Sequence, residues 1–209
     1  MTTRTPKDFW VEMSIREIST QAHFAGIAFS HLDPKAAANN DAVFSSIHSF
    51  LSHCAMVSKM LAAKDDGKPP KSIGDVLGVS CTSLIHQRVF RNHLEHYDER
   101  LKAWIKKYAL KSMIGTYNIG PKSAMQIPDL VFVSHYDPAS GIFTFVNDNF
   151  DLTMMFAEVQ RIQAMADDWV HCIETGQTSP PFIHRRNIMP ARQPRHSAEE
   201  TARRHDEIT

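Results

Sequence analysis

The apolar positions of the chain follow two periods. Val11, Ile15, Ile18, Ala22, Ala25, Phe29 and Leu32 recur in alternating steps of four and three, the stripe of a helix with one face in a core. Thr5 suits the N-cap and Pro6 the first helical position, and Asp33-Pro34 closes the segment. A second seam, Phe44, Ile47, Leu51, Cys54, Val57 and Leu61, predicts a helix beginning near Asp41. A third, Phe90, Leu94, Tyr97, Leu101, Trp104 and Tyr108, predicts one long helix that starts within Ser80 to Ser83 and ends near Tyr108. The fourth, Leu152, Met155, Val159, Ile162, Ala166, Trp169 and Ile173, is capped by Asn149 or Asp151 and stopped by Gly176.

Between the third and fourth seams the pattern turns extended. Residues 130–136 and 142–146 are rich in strand formers and flank Asp137-Pro138-Ala139-Ser140-Gly141. Proline presets one turn dihedral and glycine accepts the left-handed one, so this reads as a hairpin near 130–146. A lone hairpin is marginal in water and must pack on the helices. Residues 64–71, with Asp65-Asp66-Gly67 and Pro69-Pro70, read as a solvated loop, and Ser72 with Asp75 as a short capped turn before Gly78. The fold class expected is therefore mainly α: a bundle of four long helices with one β-hairpin between helices 3 and 4. It fills a single domain over 1–177. Residues 178–209 are dominated by Pro, Arg, His, Glu and Thr and read as a disordered polar tail.

Composition changes this picture little. A chain of 209 residues, 43% apolar and 22% charged, can bury a core without staples. The formal net charge is zero, which gives no global attraction to nucleic acid or membrane. Cys54, Cys81 and Cys172 are too dispersed for a disulfide framework or zinc site and read as reduced, buried thiols. The first ten residues lack a signal pattern, and no apolar run approaches the ~20 residues of a membrane span. A cytoplasmic protein with no membrane partner is expected.

Local charge is more telling. Residues 88–111 carry seven Lys/Arg against three acids, whereas 128–177 carry one Arg against eight. Either the two segments complement each other within the fold, or the basic one faces a polyanion. The densest run of functional groups lies in the basic segment, from Arg88 to Arg100. Within it Arg91-Asn92 and His96 form an R-N-x3-H pattern.

This pattern resembles the motif of the HEPN superfamily, small α-helical bundles that include many metal-independent ribonucleases. The resemblance implies an endoribonuclease without a cofactor, with Arg91, Asn92 and His96 as its catalytic group. It further implies a homodimer that brings two copies of the motif together on RNA. Arg88, Arg100 and Lys102 would contact the nucleic acid. The chemistry is coherent: an imidazole can take or give a proton near neutrality, and a guanidinium offers a phosphate a bidentate fork. Helical geometry sets Arg91 and His96 about 140° apart around one axis, while Asn92, His96 and Arg100 share a face. The same residues also fit plain i,i+4 pairing on the surface of a non-catalytic interaction or scaffold bundle. No metal is expected; the weak alternative is His93 with His96, assisted by Glu99 or His86. Neither a glycine-rich phosphate loop nor a G-x-S-x-G elbow is present.

Overall fold

A computed structural model describes residues 6–63, 72–86, 96–108, 114–121, 131–146 and 148–176. Three long helices form its frame: α1 (Pro6–Ser30), α2 (Asn40–Leu61) and α5 (Leu152–Thr175). Their seams meet in one core. Ile15, Ile18, Ala22 and Ala25 of α1 lie against Ile47, Phe50, Leu51 and Cys54 of α2 and Val159, Ile162 and Ala166 of α5, all buried. Side-chain caps define the ends. Asn39 accepts from the Ala42 amide and Asp151 from the Met154 amide, satisfying first-turn donors. Gly176 takes φ 71° beyond α5, a left-handed stop that glycine adopts without a Cβ penalty.

Ser72 caps the short α3 (Ile73–Leu77), which Gly78 closes, and a 3-10 turn follows at Leu84–His86. Helix α4 (Tyr97–Tyr108) carries Asp98 and Glu99 in its first turn and Lys106 and Lys107 in its last, in the sense that the helix dipole favours.

The strands are β1 (Ile114–Gly115), β2 (Asn118–Ile119), β3 (Val131–Phe132), β4 (Ser134–Asp137), β5 (Ile142–Phe145) and β6 (Asp148–Asp151). β1 pairs with β3 in parallel. The other four form one sheet in the order β2-β4-β5-β6, with β2–β4 parallel and the remaining pairs antiparallel. Phe143, Phe145 and Phe150 carry the sheet into the same core as the helices.

This architecture corrects the expectation of a four-helix bundle with one hairpin. The fold is mixed, with a four-stranded sheet of mixed orientation in its C-terminal half. The β4–β5 pair occupies the anticipated hairpin but forms the middle of that sheet. β2 has two residues, too few to display a period, and a parallel partner needs no tight turn to announce it. β6 reads Asp-Asn-Phe-Asp, residues that shun strands except Phe150; pairing with β5 overrides that propensity. The third long helix is corrected as well. Its expected span contains the 3-10 turn at Leu84–His86 and a helix beginning at Tyr97. Of its stripe, Trp104 is buried and Tyr97, Leu101 and Tyr108 are half-buried, while Phe90 and Leu94 lie outside the described residues. The proposed tail, 178–209, also lies outside them. Among the thiols, Cys54 and Cys172 are buried, but Cys81 is exposed.

Gly141 tests the central turn. It takes φ 70°, and a Cβ placed there would collide with Thr153 Oγ1 of α5. Its carbonyl also accepts the Leu152 amide at 3.0 Å, tying turn to helix. Gly141→Ala is expected to lose about 1–2 kcal/mol from the left-handed backbone alone, with the collision adding to it. Urea denaturation reads this directly; an unchanged midpoint would contradict the assignment.

Candidate functional site

His96 stands immediately before α4, and its carbonyl accepts the Arg100 amide at 3.1 Å. Its side chain is 55% exposed, with Nδ1 facing Glu99 Oε2 at 3.5 Å. An imidazole engaged through Nδ1 directs Nε2 elsewhere. The helix start is held from two sides. Tyr97 stacks on Phe145 of β5 with ring centroids 4.6 Å apart, and its ring edge meets His48 of α2 at 6.5 Å. Arg100 Nη1 donates to Asp148 Oδ2 of β6 at 2.9 Å. That bond joins the basic segment to the acidic one, as the complementary reading of the charges anticipates. Lys102 is exposed on the next turn.

The other end of the motif segment has its own anchor. Ser83 donates a hydrogen bond to Glu158 Oε1 of α5. Arg161 grips the same carboxylate with Nε and Nη2, both at 2.8 Å. His86, on the 3-10 turn, lies within the electrostatic reach of Glu158. Burial opposes the charge on Glu158, but the hydrogen bonds from Arg161 and Ser83, with the charges of Arg161 and His86, outweigh it and hold the carboxyl below its ordinary value. Thus His96 is placed by α2, β5 and β6, and His86 by α5. Arg88, Arg91, Asn92 and His93 lie outside the described residues. Sequence reasoning missed the Ser83–Glu158–Arg161 anchor because Ser83 and Glu158 are 75 positions apart. No local pattern could have paired them.

These groups give the protein a pH signature. Burial holds His48, His53 and His86 below the ordinary imidazole value, with Glu158 partly offsetting the effect at His86. As pH falls below about 6.5 the unfolded chain takes up protons first, so the stability present above that pH is lost down to the folded values. Glu158 contributes later, as pH falls from the unfolded carboxylate value through its lower folded one. The thermal midpoint is expected to decline from about pH 7 to about pH 5, and His48→Phe should flatten part of that slope. A midpoint constant over this range would contradict the burial of these rings.

Among the described residues, no group of three or more His, Cys, Asp or Glu side chains is arranged to hold a metal. No described helix is long and apolar enough to cross a membrane. No family model matches the chain, and no curated protein or solved structure matches it either.

Proposed function

We propose that the protein is a HEPN-like, metal-independent endoribonuclease in which His96 transfers a proton during cleavage of single-stranded RNA. The observation that carries this reading is the setting of His96. It is an exposed imidazole immediately before α4, turned through Nδ1 toward Glu99, and it completes the Arg91-Asn92 motif in sequence. A carboxylate beside one ring nitrogen orients the imidazole and leaves the other nitrogen for the proton transfer. In the reaction a base removes the 2′-OH proton and the 2′ oxygen attacks phosphorus. The P–O5′ bond then breaks and an acid protonates the leaving oxygen. One His96 serves one of these transfers, and a homodimer supplies two imidazoles. Arg91 stabilises charge on the phosphorane.

The test is incubation of the purified full chain with single-stranded RNA in EDTA. Cleavage leaving a 2′,3′-cyclic phosphate supports the reading; intact RNA overturns it. The Arg100–Asp148 pair favours a second reading, a non-catalytic interaction module whose basic helix is matched internally. RNA left intact by a well-folded protein would favour that account.

A further inference from the structure

A second set of functional groups lies along the seam between α1 and α2. Between α1 and α2 is an open groove of about 300 Å³, at the small end of the range for organic ligands. One wall is apolar: Phe24, Ile27 and Ala28 of α1. Phe24 and Ile27 remain 42% and 46% exposed, so the core does not use them. The facing wall carries Ser45, Ser46 and Ser49, with His31 and His53 completing the lining; the Ser46 hydroxyl donates to the Ala42 carbonyl at 2.9 Å, which leaves Ser45 and Ser49 as hydroxyl donors. Among the described residues, no Asp, Glu, Lys or Arg lines it.

The state of His53 follows from its neighbours. Gln21 Nε2 donates to Glu17 Oε1 at 2.8 Å, and because a carboxylate only accepts, the amide orientation is settled. Gln21 Oε1 therefore faces His53 Nδ1 at 2.7 Å, and Nδ1 must carry the hydrogen. Burial lowers the pKa of the ring, which favours the neutral form near neutral pH. Nε2 then holds a lone pair that no described residue engages. The ring of Phe24 stands 5.5 Å from that of His53, tilted by 57°. The cleft thus offers an exposed aromatic ring, an imidazole acceptor and the hydroxyls of Ser45 and Ser49.

We infer that this cleft binds a nucleobase. A base is planar and neutral, stacks on an aromatic ring, gives an N–H to an acceptor and receives hydroxyl donors at its carbonyl or ring nitrogens. The choice of a nucleobase among planar heterocycles rests on the RNA reading above; the geometry of the cleft does not. The base arrives either as a free nucleoside or as part of a polynucleotide.

The experiment follows the Phe24 and His53 resonances of the full chain by NMR while adenosine, guanosine, cytidine or uridine is added. Short oligoribonucleotides form a second arm, and benzene a third. At least one nucleoside is expected to shift both residues at up to about 10 mM, a concentration suited to a weak small ligand. A tighter oligoribonucleotide at the same resonances identifies a base within RNA; equal affinity identifies a free nucleoside. Ser49→Leu, at an exposed helix position, should block binding without loss of fold. His53→Phe, which keeps the ring but not the acceptor, should weaken it about tenfold, the equivalent of about 1.4 kcal/mol. The inference is overturned if no nucleoside or oligoribonucleotide shifts these residues. It is also overturned if benzene binds as well and His53→Phe changes nothing. Because the readout is binding, repeating it in His96→Ala separates failure of the cleft from failure of the cleavage reading.

Discussion

Replacing His96 with alanine is expected to slow RNA cleavage by about 10²–10⁴-fold, the usual contribution of one positioned proton-transfer group. The side chain is more than half exposed and contacts Glu99 at 3.5 Å, so its removal opens no cavity in the core. Circular dichroism and the thermal midpoint should therefore match the unaltered protein. Glu99→Gln retains shape but removes the charge beside Nδ1, and an intermediate rate is expected. Arg91→Ala should show a loss comparable to that of His96→Ala, and Arg91→Lys should recover only part, since an ammonium lacks the bidentate fork. Single-turnover rates on one defined RNA check all four. A rate for His96→Ala equal to that of the unaltered protein would remove the residue from the mechanism.

The second large effect concerns the junction that positions His96. Phe143 is 1% exposed. Its ring lies 6.3 Å from Phe44 and 6.2 Å from His48 of α2, and 6.2 Å from Phe150 of β6. It therefore joins the middle of the sheet to the helical frame. Phe143→Ala is expected to cost about 3–5 kcal/mol, from lost transfer energy and the space left behind. The damage should also reach α4, because Tyr97 touches His48 and stacks on Phe145, the neighbour of Phe143 along the same strand. Urea denaturation should show the loss of stability. Hydrogen exchange should show faster opening of both the sheet and the first turn of α4. A loss under about 1 kcal/mol would mean that the sheet packs independently of α2.

The sequence announces the three long helices because each buries a continuous stripe on one face. Ile15, Ile18, Ala22 and Ala25 are read directly from spacing, and all are buried. The caps Asp151 and Gly176 are equally visible, since a carboxylate at a helix start and a glycine at its end answer to local geometry. The sheet was only half legible. Its central pair is rich in strand formers and carries a glycine turn, whereas Asn118–Ile119 and Asp148–Asp151 become strands only because neighbouring strands offer ladder partners. The start of the third helix, expected within Ser80 to Ser83, was not legible, because a period in sequence does not report the 3-10 turn at Leu84–His86. Of the candidate site, the motif was visible as a run of residue types. The contacts that place its described members, Tyr97 on Phe145 and Arg100 on Asp148, join positions 48 apart and leave no local trace. The His53–Gln21–Glu17 relay is hidden for the same reason, with 32 positions separating Gln21 from His53.

The most direct test of the central claim uses one RNA in two forms, differing only in a 2′-deoxy sugar on the 5′ side of the cleaved phosphodiester. With EDTA present, the all-ribose strand should be cut there to a 2′,3′-cyclic phosphate, while the substituted strand resists at that bond alone. Cleavage of both strands at equal rates, or of neither, would contradict the account.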